Sequence, residues 1–242
     1  MRSVNTQESL TDQVARELRQ AILTGDLIPG ELYTASQLGE QLRVSRTPIR
    51  EALRELARLG LVVIEKNRGM RVVPTSVESF IEVFQVRIML EVPLAERAAA
   101  LSTSNGHGSV TSAFEAFRSA AEAGDIDTVM RRDRDFHDSL LNCARNQRAT
   151  TLVREQRDFV LSTGVGTVPE SRTAMECFED HIDIFEAFVA GDAPGTGEAM
   201  HRHIVHTTEM LLDQERRKRP EFAEIDIADE IGWLSRSTKH GR

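Results

Sequence analysis

Four residues of this 242-residue chain are of types that hold metal, and they stand where apolar residues belong. Read as a helix, 125–144 carries Ile126, Met130, Leu140, Leu141 and Ala144 on one face. Asp133 and His137 fall on that same face, one turn apart. In 171–190 the stripe Ala174, Phe178, Phe185, Phe188 is interrupted by His181. In 193–213 the stripe Ala199, Met200, Met210, Leu211 is interrupted by His203. A carboxylate and three imidazoles buried without partners would be costly. Two solutions are open. Each residue can be hydrogen-bonded separately within a core. Alternatively, all four share one divalent cation, for which zinc, nickel, manganese and iron suit an Asp/His₃ set with open positions for water or a ligand. Ligation needs neutral imidazole, so metal affinity is expected to fall as pH falls through the histidine range.

A second set of residues suits a different chemistry. From Val44 to Gly60 the chain reads V-S-R-T-P-I-R-E-A-L-R-E-L-A-R-L-G. As a helix it carries an apolar stripe, Ile49, Leu53, Leu56 and Leu59, and an arginine row, Arg46, Arg50, Arg54 and Arg58. Ser45 or Thr47 caps its start, Pro48 is tolerated in its first turn, and Gly60 ends it. Such a helix fits the major groove of DNA, because arginine forks pair with phosphates and guanine edges. It equally describes a solvated surface helix.

The neighbouring elements decide between these. Ala35–Arg43 reads as a short preceding helix with Leu38 and Leu42 inward, giving a helix-turn-helix. After Gly60, L-V-V-I-E, K-N-R-G and M-R-V-V-P read as strand, turn, strand: a β-hairpin wing with Lys66, Asn67 and Arg68 at its tip. Another helix, Glu8–Gly25, precedes them, with Leu10, Val14, Leu18, Ala21 and Ile22 as its stripe.

The ordered set G-E-L, L-G-E-Q-L-R-V-S-R-T-P-I-R-E-A-L-R-E-L-A-R-L-G-L-V and N-R-G-M-R-V closely resembles the winged helix-turn-helix of the GntR family of bacterial transcription regulators. The resemblance implies that Ser45, Arg46, Thr47 and Arg50 contact operator DNA and that Arg68 and Gly69 enter the minor groove. Ser36 stands where the fatty-acid-responsive branch has an arginine, so that branch's operator is not carried over.

D-R-D-F-H at 133–137, R-N at 145–146, E-D-H-I-D-I-F-E-A-F-V-A-G-D at 179–192 and A-M-H-R-H at 199–203 resemble the FCD ligand-binding domain. In metal-binding members the ligands correspond to Asp133, His137, His181 and His203. His201, His206, His107 and His240 are read as surface residues. The pattern also has R-x-x-x-E where this chain has Arg87 and Glu91. Arg87 either meets an anionic effector or forms an internal pair with Glu91.

From 76 to 213 the pattern is helical only, with helices at 77–101, 108–123, 125–144, 147–163, 171–190 and 193–213. Asp125 and Asp192 are placed as caps. The expected fold is mainly α: a winged helix-turn-helix domain over 1–75, an antiparallel six-helix bundle over 76–213, and a charged tail over 214–242. Six helices resemble the vanillate-regulator branch of the family more than the fatty-acid branch. Within the tail, 225–234 is weakly amphipathic and either docks or stays unfolded.

Composition agrees. At 40% hydrophobic with one Trp and one Tyr, the core is built on Leu and Ala. The formal charge is −8, yet Arg43–Arg71 holds eight Lys/Arg against three Asp/Glu, so +5, leaving −13 elsewhere. A basic reading head on an acidic body confines DNA affinity to one surface. No apolar run nears the ~20 residues that span a bilayer, so a cytoplasmic protein without a membrane partner is expected. Cys143 and Cys177 lack metal or redox spacing and read as free thiols.

The expected function is a metabolite-responsive transcription regulator, a repressor by the family's commonest mode. It would be a homodimer on an inverted-repeat operator, with a divalent metal, zinc foremost, and a small carboxylic acid as effector. Two other uses of the same Asp/His set remain: a metal sensor, in which the ion is the signal, and a metal-dependent hydrolase. The hydrolase finds no inward general base and no use for the reading head.

Overall fold

The computed structural model describes residues 9–24, 26–66, 68–73, 77–162, 166–218 and 225–234. Gly25, Asn67, Pro74 and His240, each named above, lie outside them. The chain divides into two compact units. One is Met1–Ser76 with Asp158–Gly164; the other is Val77–Arg157 with Val165–Arg242.

The first unit opens with α1 (Leu10–Thr24). Ser9 and Asp12 cap it reciprocally, each side chain accepting from the other's backbone N–H. α2 (Ala35–Leu42) is capped by Thr34, whose hydroxyl accepts from Gln37 N while the Gln37 side chain accepts from Thr34 N. α3 (Arg46–Arg58) follows after a turn so tight that a Cβ on Gly39 would lie 2.9 Å from the Val44 carbonyl oxygen. Leu38, Ile49, Leu56 and Met70 are fully enclosed where these elements meet. Leu10, expected in the stripe of α1, is exposed, because it stands in the helix's first turn.

The wing is β2 (Val62–Glu65) and β3 (Gly69–Val72), antiparallel with Val62 opposite Val72 and Glu65 opposite Gly69. The structure adds a strand that the sequence did not reveal. β1 (Leu32–Tyr33) pairs antiparallel with β3, giving a three-stranded sheet of order β1-β3-β2. Two residues are too short to show a period of two.

The second unit is helical among its described residues. It comprises α4 (Val77–Leu101), α5 (Ser104–Ala123), α6 (Ile126–Asn142), α7 (Gln147–Ser162) as far as Arg157, α8 (Ala174–Glu179), α9 (Ile182–Val189), α10 (Ala193–Lys218) and α11 (Ile227–Gly232). α10 lies along α4, and α5 along α6. Phe84, Phe117, Phe136 and Phe188 are the largest enclosed side chains. Ile126, expected inward, is exposed at the start of α6, and Val129 and Phe136 take the inner positions.

The helix expected at 171–190 is two helices, α8 and α9, so the described residues of the bundle hold seven helical segments where six were expected, and the last, α10, runs to Lys218, past the boundary expected at 213. The argument from helix count for the vanillate-regulator branch therefore lapses. At the break, His181 N donates to the Phe178 carbonyl three residues back, and the helical ladder resumes with Phe185 N donating to the His181 carbonyl. The tail segment docks in part: Ile227 and Ile231 of α11 are buried, and Gln85 of α4 donates to the Glu230 carbonyl. Cys143 and Cys177 are both free.

Candidate metal centre and DNA-reading head

The break between α8 and α9 sets the site. It leaves His181 fully buried, with Nδ1 2.8 Å from the Cys177 carbonyl oxygen. A carbonyl only accepts, so the ring proton sits on Nδ1 and the Nε2 lone pair points the other way. That lone pair lies 3.0 Å from Asp133 Oδ1 and 3.0 Å from His137 Nε2. His137 is held more loosely, its buried Nδ1 facing a carboxylate without a hydrogen bond. Its Nδ1 stands 3.4 Å from Glu91 Oε2, and its Nε2 is 4.0 Å from Asp133 Oδ1. The third ring, His203 of α10, lies 4.3 Å from His181 and 5.2 Å from His137 by ring centroids. One ligating nitrogen from each of the three histidines falls within 4.8 Å of the others.

The structure thus brings together all four residues singled out from spacing, each at most 8% exposed. Their chemistry fits a divalent cation. Two imidazole Nε2 atoms and a carboxylate oxygen converge, a donor set that a divalent cation can share; without one, the two rings hydrogen-bond each other. The outer partners fit as well. A metal-bound histidine is ordinarily oriented by a carboxylate or carbonyl on its other nitrogen, and Glu91 and the Cys177 carbonyl occupy those places.

Charge around the site is paired. Glu91 Oε1 accepts from Arg87 Nε at 2.7 Å, and the Arg87 guanidinium also lies over the Phe84 ring. Asp133 Oδ2 accepts from Arg157 Nη2 at 2.6 Å, and Arg157 Nη1 is 3.5 Å from Glu91 Oε2. Burial pushes the Asp133 carboxyl upward, but the Arg157 guanidinium outweighs it and holds it well below the usual carboxylate range. Glu91 is pulled down in the same way by Arg87 and Arg157. Burial lowers His137 to about 4 and His203 well below the ordinary histidine value, so both rings are neutral at neutral pH. Burial also lifts the Cys177 thiol to about 12.

Sequence reasoning missed Arg157. The signal existed, since Val153, Arg157 and Val160 continue one stripe on α7, but an arginine is not sought when scanning for ligands. It also missed Thr207, one turn beyond His203 on α10. The Thr207 hydroxyl is buried without a hydrogen-bond partner, as is His203 Nδ1, whereas Thr208 bonds the Ile204 carbonyl. Of the residues read as surface, His206 is exposed and His201 is half-buried. His107 is half-buried with its ring against Phe188.

In the other unit, Ser45, Arg46, Thr47 and Arg50 lie exposed in the first turn of α3 and just before it. Ser45 occupies the N-cap position but makes no side-chain cap bond. Arg68 is exposed at the wing and pairs with Glu65 at 2.7 Å. Gly69 adopts φ +137°, and a Cβ there would fall 2.2 Å from the Tyr33 carbonyl oxygen. Only glycine lets β3 pass β1 at that point.

Residues 10–72 match the family described as bacterial regulatory proteins, gntR family, and residues 82–206 match the FCD domain. The chain belongs to the GntR family, with an FCD domain. It is 30% identical over 202 residues to the "Probable D-xylose utilization operon transcriptional repressor" of Paenarthrobacter nicotinovorans, covering 82% of this chain and 87% of that one. It is 25% identical over 221 residues to the HTH-type transcriptional repressor RspR of Escherichia coli, covering 91% and 97%. E. coli McbR/YncC has the same fold, with TM-score 0.64, 23% identity and coverage of 86% and 100%. So does Lar of Listeria monocytogenes, with TM-score 0.68, 16% identity and coverage of 86% and 99%. This GntR-family chain is therefore a DNA-binding transcription regulator and not an enzyme. No helix among the described residues is long and apolar enough to cross a membrane.

Proposed function

We propose that this regulator senses a small carboxylic acid through a divalent metal, zinc foremost, held by Asp133, His137, His181 and His203. The observation that supports it is the convergence of three imidazoles, each from a different helical segment, with Asp133 Oδ1 against two of them, His181 and His137, and the Cys177 carbonyl and Glu91 behind those two rings. A bound divalent ion would act there as a Lewis acid toward a carboxylate. The protein's part is positional. His181 is aimed by the break between α8 and α9, and Asp133 is held by Arg157. Thr207 offers an unpartnered hydroxyl one turn from His203. Arg87 is engaged by Glu91, so its effect on an effector runs by way of that carboxylate as well as by charge.

Output lies in the reading head. Two chains would place two copies of α3 on the half-sites of an inverted repeat, with Arg46 and Arg50 at the bases and phosphates and the wing in the minor groove. An effector that prefers the off-DNA arrangement must weaken operator binding by its own coupling factor, which is repression relieved by metabolite. Repressors occur among the relatives of this chain.

The test is a thermal-shift screen of metal-stripped protein. Each divalent metal is added alone, then with a panel of carboxylic acids and with D-xylose. An acid that raises the melting point only with metal present supports the proposal. Stabilisation by metal with no added effect of any acid makes the ion structural or the signal itself.

A further inference from the structure

We infer that the effector is a dicarboxylate, a ligand carrying two negative charges, rather than a monocarboxylate or a neutral sugar. The inference rests on the metal reading above and follows from the charges around the site. Arg87 and Arg157 are positive; Glu91 and Asp133 are negative; each acid is ion-paired with an arginine. The imidazoles must be neutral to ligate. The flanking pairs Arg172–Asp180 and Arg154–Asp138 are each balanced. The protein's own charge at the site is therefore zero.

A divalent ion among these ligands brings the total to +2. The side chains of the four inner ionised groups are at most 12% exposed, so water screens that charge poorly. An uncompensated buried charge is costly, and each carboxylate of the cluster is already paired with an arginine. Hydroxide on the ion can supply part of the compensation, and an anionic ligand that displaces it supplies the rest. One carboxylate supplies half of the compensation; two supply all of it.

The geometry gives the second carboxylate a place. Thr207 shares the inner side of α10 with His203, one helical turn on, or about 5.4 Å along the axis. Its hydroxyl is buried and without a partner, and a carboxylate is the acceptor it lacks. One turn is on the scale of the separation between the two carboxylates of a short diacid such as succinate, so a ligand with one end at the histidine cluster would direct the other toward that side of α10.

The experiment is isothermal titration of the full-length, zinc-loaded protein with matched pairs: succinate against butyrate, malate against 3-hydroxybutyrate, and D-xylose as the neutral control. Zinc content is measured first by equilibrium dialysis. Each diacid is expected to bind at least tenfold tighter than its monoacid, at one per chain. Zinc uptake with equal affinities for the paired acids, or with D-xylose the tighter ligand, overturns the inference and leaves the metal reading standing. Absence of zinc uptake overturns the metal reading itself, and the inference with it. Arg157→Gln gives a second arm. Removing one positive charge should narrow the diacid preference about tenfold in the zinc-loaded variant. A folded variant with an unchanged ratio would count against the charge argument, and if the variant does not fold, the wild-type pairs decide alone.

Discussion

Acidifying the metal-free protein should unfold it through its buried histidines. His137 has a pKa near 6.5 in the unfolded chain and about 4 in the fold, where burial disfavours the charged ring. Between those values the unfolded state binds a proton that the folded state refuses. Stability is therefore full above about pH 6.5 and is lost as pH falls toward 4. At 1.36 kcal/mol per pH unit, His137 alone removes about 2 kcal/mol by pH 5 and about 3 kcal/mol by pH 4. His203, lowered for the same reason, adds loss of the same sign. Glu91 and Asp133 act in a different window. Their folded values are depressed, so their stabilisation persists through pH 5 and is lost only at stronger acidity. Urea titrations of chelator-treated protein at pH 7.5, 6.5, 5.5 and 5.0, read by far-UV circular dichroism, measure the slope. His137→Gln should flatten it by about one proton. Metal uptake follows from the same burial. An ordinary histidine at pH 5 would weaken it about 30-fold, whereas the part of the fall due to His137 moves to about pH 4. Wild-type stability that stays level from pH 7 to 5, or an uptake that falls a thousandfold over that range, would refute the neutral, buried state of these rings.

Replacing exposed Arg46 or Arg50 with alanine should cost about 1–3 kcal/mol of operator binding, roughly five- to hundredfold by gel shift, with an unchanged melting temperature; full affinity in either variant would remove α3 as the reading helix. Affinity should also fall steeply between low and moderate salt, and a flat response would place the DNA surface elsewhere. Gly69→Ala forces a Cβ into the Tyr33 carbonyl, so loss of the β1–β3 pairing and of more than about 2 kcal/mol is expected from denaturant melts; a neutral result would contradict the strained approach there. Thr207→Val removes a buried hydroxyl that bonds nothing, so the ligand-free protein should be unharmed or slightly stabilised while effector affinity drops about tenfold; unchanged affinity by titration would detach Thr207 from the effector.

Much of this was legible in the residues. Period and punctuation placed α1 to α3, the wing, and the two long helices α4 and α10, because local spacing shows directly which face of a helix is apolar. The same spacing marked Asp133, His137, His181 and His203 as polar groups on inner faces. What failed was either too short or too near an end. β1 has two residues, and Leu10 and Ile126 sit in first turns where a stripe need not be covered. Helix 171–190 broke because its continuous apolar pattern conceals a change of hydrogen bonding at His181 that no side-chain period records.

The sequence by itself determined the family, the reading head and the four inward polar residues, since each depends on residue type and on spacing within one element. Only the tertiary structure decided that the four meet. Asp133 and His137 come from α6, His181 from the junction of α8 and α9, and His203 from α10, and no local rule sets the distance between those elements. It also decided that Arg157 holds Asp133 and that Glu91 backs His137 across the bundle. It lowered His137 and His203 as well, because burial is a property of everything packed around a ring and not of the ring's neighbours in the chain.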